Sequence, residues 1–123
     1  MSIDLKISNV IKMLGISPSL KGYYAIREAV KLVVNDFSYI GKITTKLYPD
    51  VSKRLEINAK RLERDIRHAI ESGWRNGSVE FQCEIFDYGV LESPCPTSSE
   101  FITTVADYIK LQMEEENENK KDS

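Results

Sequence analysis

Apolar side chains recur at spacings of three and four residues along most of this 123-residue chain. This is the period of an amphipathic helix, and five or six successive segments have it. No internal repeat or linker divides the chain, and its length fits one modest core. We therefore predict an all-α bundle of five or six helices over residues 1–113, followed by an acidic, disordered tail over residues 114–123.

Capping and terminating residues suggest where the first helices begin and end. The first is predicted from about Asp4 to Met13, and Gly15 ends it. The second has Ser19 as a candidate N-cap and ends before Gly41.

The C-terminal third contains one irregular segment and one well-marked helix. Between Gly77 and Pro96 the pattern allows either a short helix or an extended flap. The sequence from Thr97 to Glu100 has the spacing of a capping box, which predicts a last helix running to about Met113.

The middle of the chain has the plan of a helix-turn-helix. Pro49 suits the first turn of a short helix that ends at Leu55. Glu56-Ile57-Asn58 then forms a three-residue turn, with Asn58 as N-cap of a longer helix from Ala59 to Gly73. In such motifs the second helix presents side chains to base edges in the major groove.

The longer helix has two different sides. At 100° per residue, its apolar residues fall in an arc of about 80° to 180° from Arg61. The opposite arc carries Lys60, Arg61, Arg64, Arg67 and His68. An ordinary solvated face explains such an arc too, because Glu63 and Glu71 are each four residues from Arg67 and could pair with it.

Charge is distributed unevenly along the chain. The net charge is −2, but the segment from Lys42 to Asn76 has nine basic and five acidic residues. A basic centre in an acidic protein is the electrostatic pattern of a nucleic-acid-binding surface.

The residue types on this helix suit base readout. Arginine can pair with guanine O6 and N7, and Glu63 can accept a hydrogen bond from cytosine N4. His68 can donate to a base or a phosphate, and Lys60 and Lys46 are candidate phosphate contacts. The predicted DNA-binding residues are Lys46, Lys60, Arg61, Glu63, Arg64, Arg67 and His68.

The run from Arg61 to Glu71, followed by Trp74, resembles the recognition helix of the sporulation master response regulator of spore-forming Firmicutes. Other segments resemble the same effector domain and occur in the same order, so the resemblance spans about Ile7 to Gln112: Lys21-Gly22-Tyr23, Arg27-Glu28-Ala29, Ile43-Thr44, Lys46-Leu47-Tyr48-Pro49-Asp50, Pro96-Thr97, Ser99-Glu100-Phe101-Ile102 and Val105-Ala106-Asp107.

The resemblance implies a helical bundle that binds short DNA boxes, often in tandem, and controls genes at the entry to sporulation. By motif it assigns Arg61, Glu63, Arg64, Arg67 and His68 to the DNA-facing surface. It further implies a contact between adjacent copies through the last helix (Phe101, Val105 and Ile109), and a contact with RNA polymerase sigma factor near the segment from Ser78 to Pro94.

Two features depart from the family pattern. These regulators carry an N-terminal receiver domain, whereas this sequence enters the effector domain almost directly after Met1. We therefore expect a stand-alone regulator. Asp65 occupies a position where the family has a small apolar residue, and a carboxylate near phosphates would weaken binding or alter the preferred site.

Other function classes have less support. Cys83 and His68 form no recognisable nucleophile–base motif, and no glycine-rich phosphate loop is present, so we expect no enzyme, cofactor or metal site. No signal peptide or membrane span is seen, which predicts a cytoplasmic protein with reduced thiols. The alternative to a DNA-binding regulator is an interaction module that antagonises a full-length sporulation regulator or its polymerase partner.

Overall fold

A computed structural model describes residues 1–87 and 94–121, and the fold is all-α, as predicted. Over those residues it contains no strand, a 3₁₀ turn at Phe37–Tyr39, a π-helical turn at Ile43–Leu47 and six α-helices: α1 (Ile3–Met13), α2 (Tyr23–Asn35), α3 (Tyr48–Leu55), α4 (Ala59–Trp74), α5 (Val79–Phe86) and α6 (Ser98–Lys121). None of the described helices combines the length and apolar character needed to span a membrane.

Helix α2 lies at the centre of the bundle and contacts α1, α3, α4 and α6. Its inward residues pack against apolar side chains from those four helices. Burying one such aliphatic side chain contributes about 1.5–3 kcal/mol. The core therefore determines how α4 is oriented, because α4 docks on α2 through its own apolar side.

The start of α2 differs from the prediction that Ser19 caps it. The helix begins at Tyr23, with Gly22 in the N-cap position and no side-chain cap. Ser19 instead hydrogen-bonds Ser17 in a preceding turn. A Cβ at Gly22 would lie 2.3 Å from the carbonyl oxygen of Asp65, so only glycine allows the start of α2 to approach α4 this closely.

The helix-turn-helix forms as predicted. Helix α3 ends at Leu55, and Glu56 reverses the chain in the left-handed conformation, at φ 54°. Asn58 then caps α4, and its side-chain oxygen accepts hydrogen bonds from the backbone N–H groups of Lys60 (2.9 Å) and Arg61 (3.3 Å). Two donors at the start of α4 are satisfied in this way.

The described start of the segment after α4 is helical, over Val79–Phe86, rather than an extended flap. Ser78 caps α5 by accepting a hydrogen bond from Phe81 N. The buried Gln82 side chain donates to the carbonyls of Leu14 (3.2 Å) and Trp74 (2.7 Å), which ties α5 to the ends of α1 and α4. Residues 88–93 of this segment lie outside the described residues.

Helix α6 begins as predicted, since Thr97 Oγ1 accepts a hydrogen bond from Glu100 N at 3.1 Å. It does not end at Met113 but continues to Lys121, so the prediction of a disordered tail is wrong for residues 114–121. Glutamate and lysine are good helix formers, and Glu116 forms an ion pair with the buried Lys6 of α1. That contact anchors the added turns.

The predicted contact between copies through Phe101, Val105 and Ile109 is also wrong. All three side chains are 0% exposed, because they form the inward stripe of α6 and pack in the core. They are unavailable to another molecule while the domain is folded. The outward side of α6 includes Asp107 and Leu111 instead.

Candidate nucleic-acid interface

Helix α4 is divided lengthwise between the core and the surface. Leu62, Ile66, Ala69 and Ile70 are buried, as the helical spacing predicts. On the opposite side the side chains of Lys60, Arg61, Arg64, Arg67 and His68 are exposed. We call these five residues the cationic face of α4.

Internal ion pairs leave most of this face uncompensated. Within α4, the ion pair seen among the described residues joins Arg61 Nε to Asp65 Oδ2 at 3.6 Å. The pairs that the solvated-face interpretation invoked, between Arg67 and Glu63 or Glu71, are not formed. Lys60, Arg64 and Arg67 therefore have no carboxylate partner within the described part of the chain, and their charges are available to an external anion.

Glu63 lies at the edge of the cationic face and is half-buried. It is close enough to Tyr48 at the start of α3 to affect that side chain. Burial raises the pKa of Tyr48 to about 12; a hydrogen bond with Ser98 opposes this shift, and the charge of Glu63 adds to it. Glu63 is thus placed between the exposed arginines and the junction of α3 with α6.

Lys46, the remaining predicted contact, belongs to a different element. It lies on the π-helical turn before α3 and is exposed. Its Nζ lies 5.0 Å from the centroid of the Tyr39 ring, and the Tyr39 hydroxyl donates to Asp50 at 2.6 Å. A cation–π contact of this kind restrains the lysine but leaves its charge exposed to solvent.

Two clefts beside α4 bring in residues that the sequence analysis did not assign to the DNA-binding surface. One, of about 330 Å³, lies between Arg67 and the start of α6, where Thr97 and Ser98 line it. The other, of about 150 Å³, contains Lys21, Asp65 and His68. Thr97 was identified as a cap, but nothing in the sequence indicated that residues so distant along the chain adjoin α4.

The chemistry and shape of this surface suit an anionic polymer. The described residues contain no group of three or more histidine, cysteine, aspartate or glutamate side chains placed to hold a metal ion. A convex helix bearing arginine and histidine, preceded by a tight turn and a short helix, has the geometry that enters a DNA major groove.

Comparison with known families agrees with this geometry. The family model described as the C-terminal domain of the sporulation initiation factor Spo0A matches residues 7–109. This range includes α2 to α5 completely, α1 from Ile7 onward and α6 as far as Ile109. The matched region contains the helix-turn-helix and every residue of the cationic face. The chain therefore belongs to the Spo0A C-terminal family, and it contains a sporulation-related, DNA-binding regulatory domain.

Proposed function

We propose that this 123-residue chain is sufficient to bind short, specific DNA boxes, with α4 in the major groove. The DNA-binding unit is residues 1–113, and it acts as a transcriptional regulator. This role requires a cytoplasmic location.

The observation that carries the proposal is the uncompensated charge of the cationic face. Arg64 and Arg67 are exposed on a helix whose other side is buried. They have no carboxylate partner among the described residues, so binding DNA would not require an internal ion pair to break. The absence of that cost favours association. Each phosphate contact also releases condensed counterions from the DNA, which favours binding further.

Roles within the surface follow from side-chain chemistry. Arg61, Arg64 and Arg67 have the planar fork that pairs with guanine, and His68 can donate to a base or a phosphate. Glu63, at the edge of the face, is suited to accept from cytosine N4. Lys60 and Lys46 would hold phosphates and set the position of the helix.

The antagonist alternative loses one of its supports. It depended partly on the acidic, disordered tail expected over residues 114–123. The acidic end of α6 is instead held by α1, through the ion pair between Glu116 and Lys6. DNA binding is therefore the function we favour.

Replacing Arg64 by alanine tests the assignment. Loss of one bidentate pair should cost about 1–3 kcal/mol on the preferred box and relax preference at one base position. The matched control is Arg54→Ala on α3, an exposed arginine already paired with Glu28 at 3.0 Å. It should change affinity for box and scrambled duplexes by equal, small amounts. If Arg64→Ala behaves like this control, Arg64 does not read bases.

A further inference from the structure

We propose that Asp65 is a specificity-determining residue that acts through Arg61, by orienting its guanidinium and limiting its attraction to phosphates. The inference rests on the proposed DNA-binding function and deepens it.

The pairing geometry leaves the base-reading edge of Arg61 open. Asp65 Oδ2 forms an ion pair with Arg61 through Nε, at 3.6 Å, across one turn of α4. The two terminal Nη groups remain available, and they are the pair that can bind guanine O6 and N7 together. Arg61 can therefore contact Asp65 and a base at the same time.

Asp65 is itself held in place. Its side chain is only 17% exposed, compared with 60% for that of Arg61. The residue sits where α4 meets the start of α2, since its carbonyl oxygen is the atom that a Cβ at Gly22 would strike. A largely buried carboxylate next to an exposed arginine restrains the arginine more than the arginine restrains the carboxylate.

This restraint has two consequences for selectivity. A side chain ordered before binding loses less conformational entropy when it contacts a base, which strengthens cognate binding. The neighbouring carboxylate also offsets the arginine charge, which weakens sequence-independent attraction to phosphates. Both effects increase the ratio of cognate to non-specific affinity.

Two other basic residues lie near Asp65 and could weaken its restraint on Arg61. Lys21 and His68 line the same cleft of about 150 Å³. Within the described residues, the ion pair seen for Asp65 is the one with Arg61. A variant that lacks both the Arg61 and the Asp65 side chain separates the effect of this ion pair from the effects of Lys21 and His68.

The test measures affinities for a box that the chain itself selects from a randomised duplex pool, and for a scrambled duplex, across a salt series. Asp65→Ala should lower the cognate-to-scrambled ratio by about 3- to 10-fold. For scrambled DNA, it should also increase by about one the number of phosphate contacts inferred from the salt dependence of the affinity. In an Arg61→Ala background, Asp65→Ala should leave the ratio unchanged.

Glu71→Ala is the matched control, because it removes the same charge from an exposed position on α4 that is not ion-paired with the described residues. It should raise both affinities and keep their ratio. If Asp65→Ala does the same, Asp65 only repels phosphates and the inference is wrong. If its effect on the ratio persists in Arg61→Ala, Asp65 contacts a base directly and the inference is again wrong. A wild-type chain that selects no box would overturn the proposed function itself.

Discussion

Tyr48 connects the helix-turn-helix to the start of α6. It is buried at the beginning of α3, and its hydroxyl lies near the side chain of Ser98. Glu63 of α4 lies near enough to add to the effect of burial on its pKa. The Tyr48 side chain therefore lies at the junction of α3, α4 and α6.

Alkaline destabilisation should depend on this tyrosine. Its folded pKa is raised to about 12 from the ordinary value of 10.0 for tyrosine. A raised pKa stabilises the fold below pH 10, and that contribution disappears as the pH rises toward 12. Tyr48→Phe should change the free energy of unfolding at pH 8 by no more than about 1 kcal/mol, because it removes only one hydroxyl. It should also remove about 2 kcal/mol of the decline between pH 10 and 12.

Denaturant unfolding of both proteins at each pH measures the two effects. The comparison between them cancels the other groups that titrate in this range, including Tyr39, whose hydrogen bond to Asp50 also raises its pKa. An equal decline for wild type and Tyr48→Phe would show that Tyr48 titrates as an exposed phenol.

Glu56 forms the turn at some conformational cost. Its φ of 54° lies in the left-handed region, which costs a residue with a Cβ about 1–2 kcal/mol. Glu56→Gly should remove this cost, offset partly by the greater freedom of glycine in the unfolded chain, and raise stability by about 0.5–1 kcal/mol. Glu71→Gly, the same change inside α4, should lower it by about 1 kcal/mol. Two losses of similar size in thermal unfolding would contradict the assignment of strain to Glu56.

At the scale of elements, α4 depends on Asn58 for its first turn. Asn58→Ala should lower the free energy of unfolding by about 0.5–2 kcal/mol, because two backbone donors lose their partner. Asn58→Asp should keep the cap and the stability. It should nevertheless weaken DNA binding, since it adds a negative charge at the start of α4. Calorimetry and DNA titration on the same samples separate the two effects. An aspartate variant as unstable as the alanine variant would show that the cap contributes little.

The elements also show how far sequence patterns reach. The helix-turn-helix could be predicted because its signals are local: Pro49 starts α3, Asn58 caps α4, and the apolar spacing marks the buried side. The start of α2 could not, because it depends on Gly22 fitting against α4, a contact between residues far apart along the chain. The pattern on α6 correctly marked an apolar stripe at Phe101 and Val105. The pattern alone does not distinguish a stripe that faces the core from one that faces a second copy of the chain.

The candidate site was predictable to a similar degree. Helical geometry alone placed the arginines opposite the buried side of α4. The pairing of Arg61 with Asp65, in preference to Arg67 with its glutamates, does not follow from the sequence, because all three candidate pairs have the same i,i+4 spacing. The contribution of Lys21 and Thr97 to the surroundings of α4 depends on the whole fold.

At the scale of the whole molecule, the acidic end of α6 should have little influence on DNA. The helix has 24 residues, a length of about 36 Å. Its far end pairs with α1, and surface charges are screened over about 8 Å at physiological salt. A chain ending at Met113 should bind DNA within about two-fold of the full chain at that salt.

The same truncation should lower thermal stability, since Lys6 is only 7% exposed and would lose its partner. Glu116→Gln in the full chain is the control that removes the pair alone. If truncation instead raised DNA affinity ten-fold or more, the end of α6 would compete with DNA and the antagonist alternative would regain its support.

The central claim is that this chain by itself reads a DNA box through α4. Fluorescence-anisotropy titration tests it, with a duplex carrying the family's box, a scrambled duplex and a salt series. We predict tight binding that favours the box and falls steeply with salt, as several simultaneous phosphate contacts require. Weak binding of a folded sample, with no preference and a shallow salt dependence, would contradict the claim.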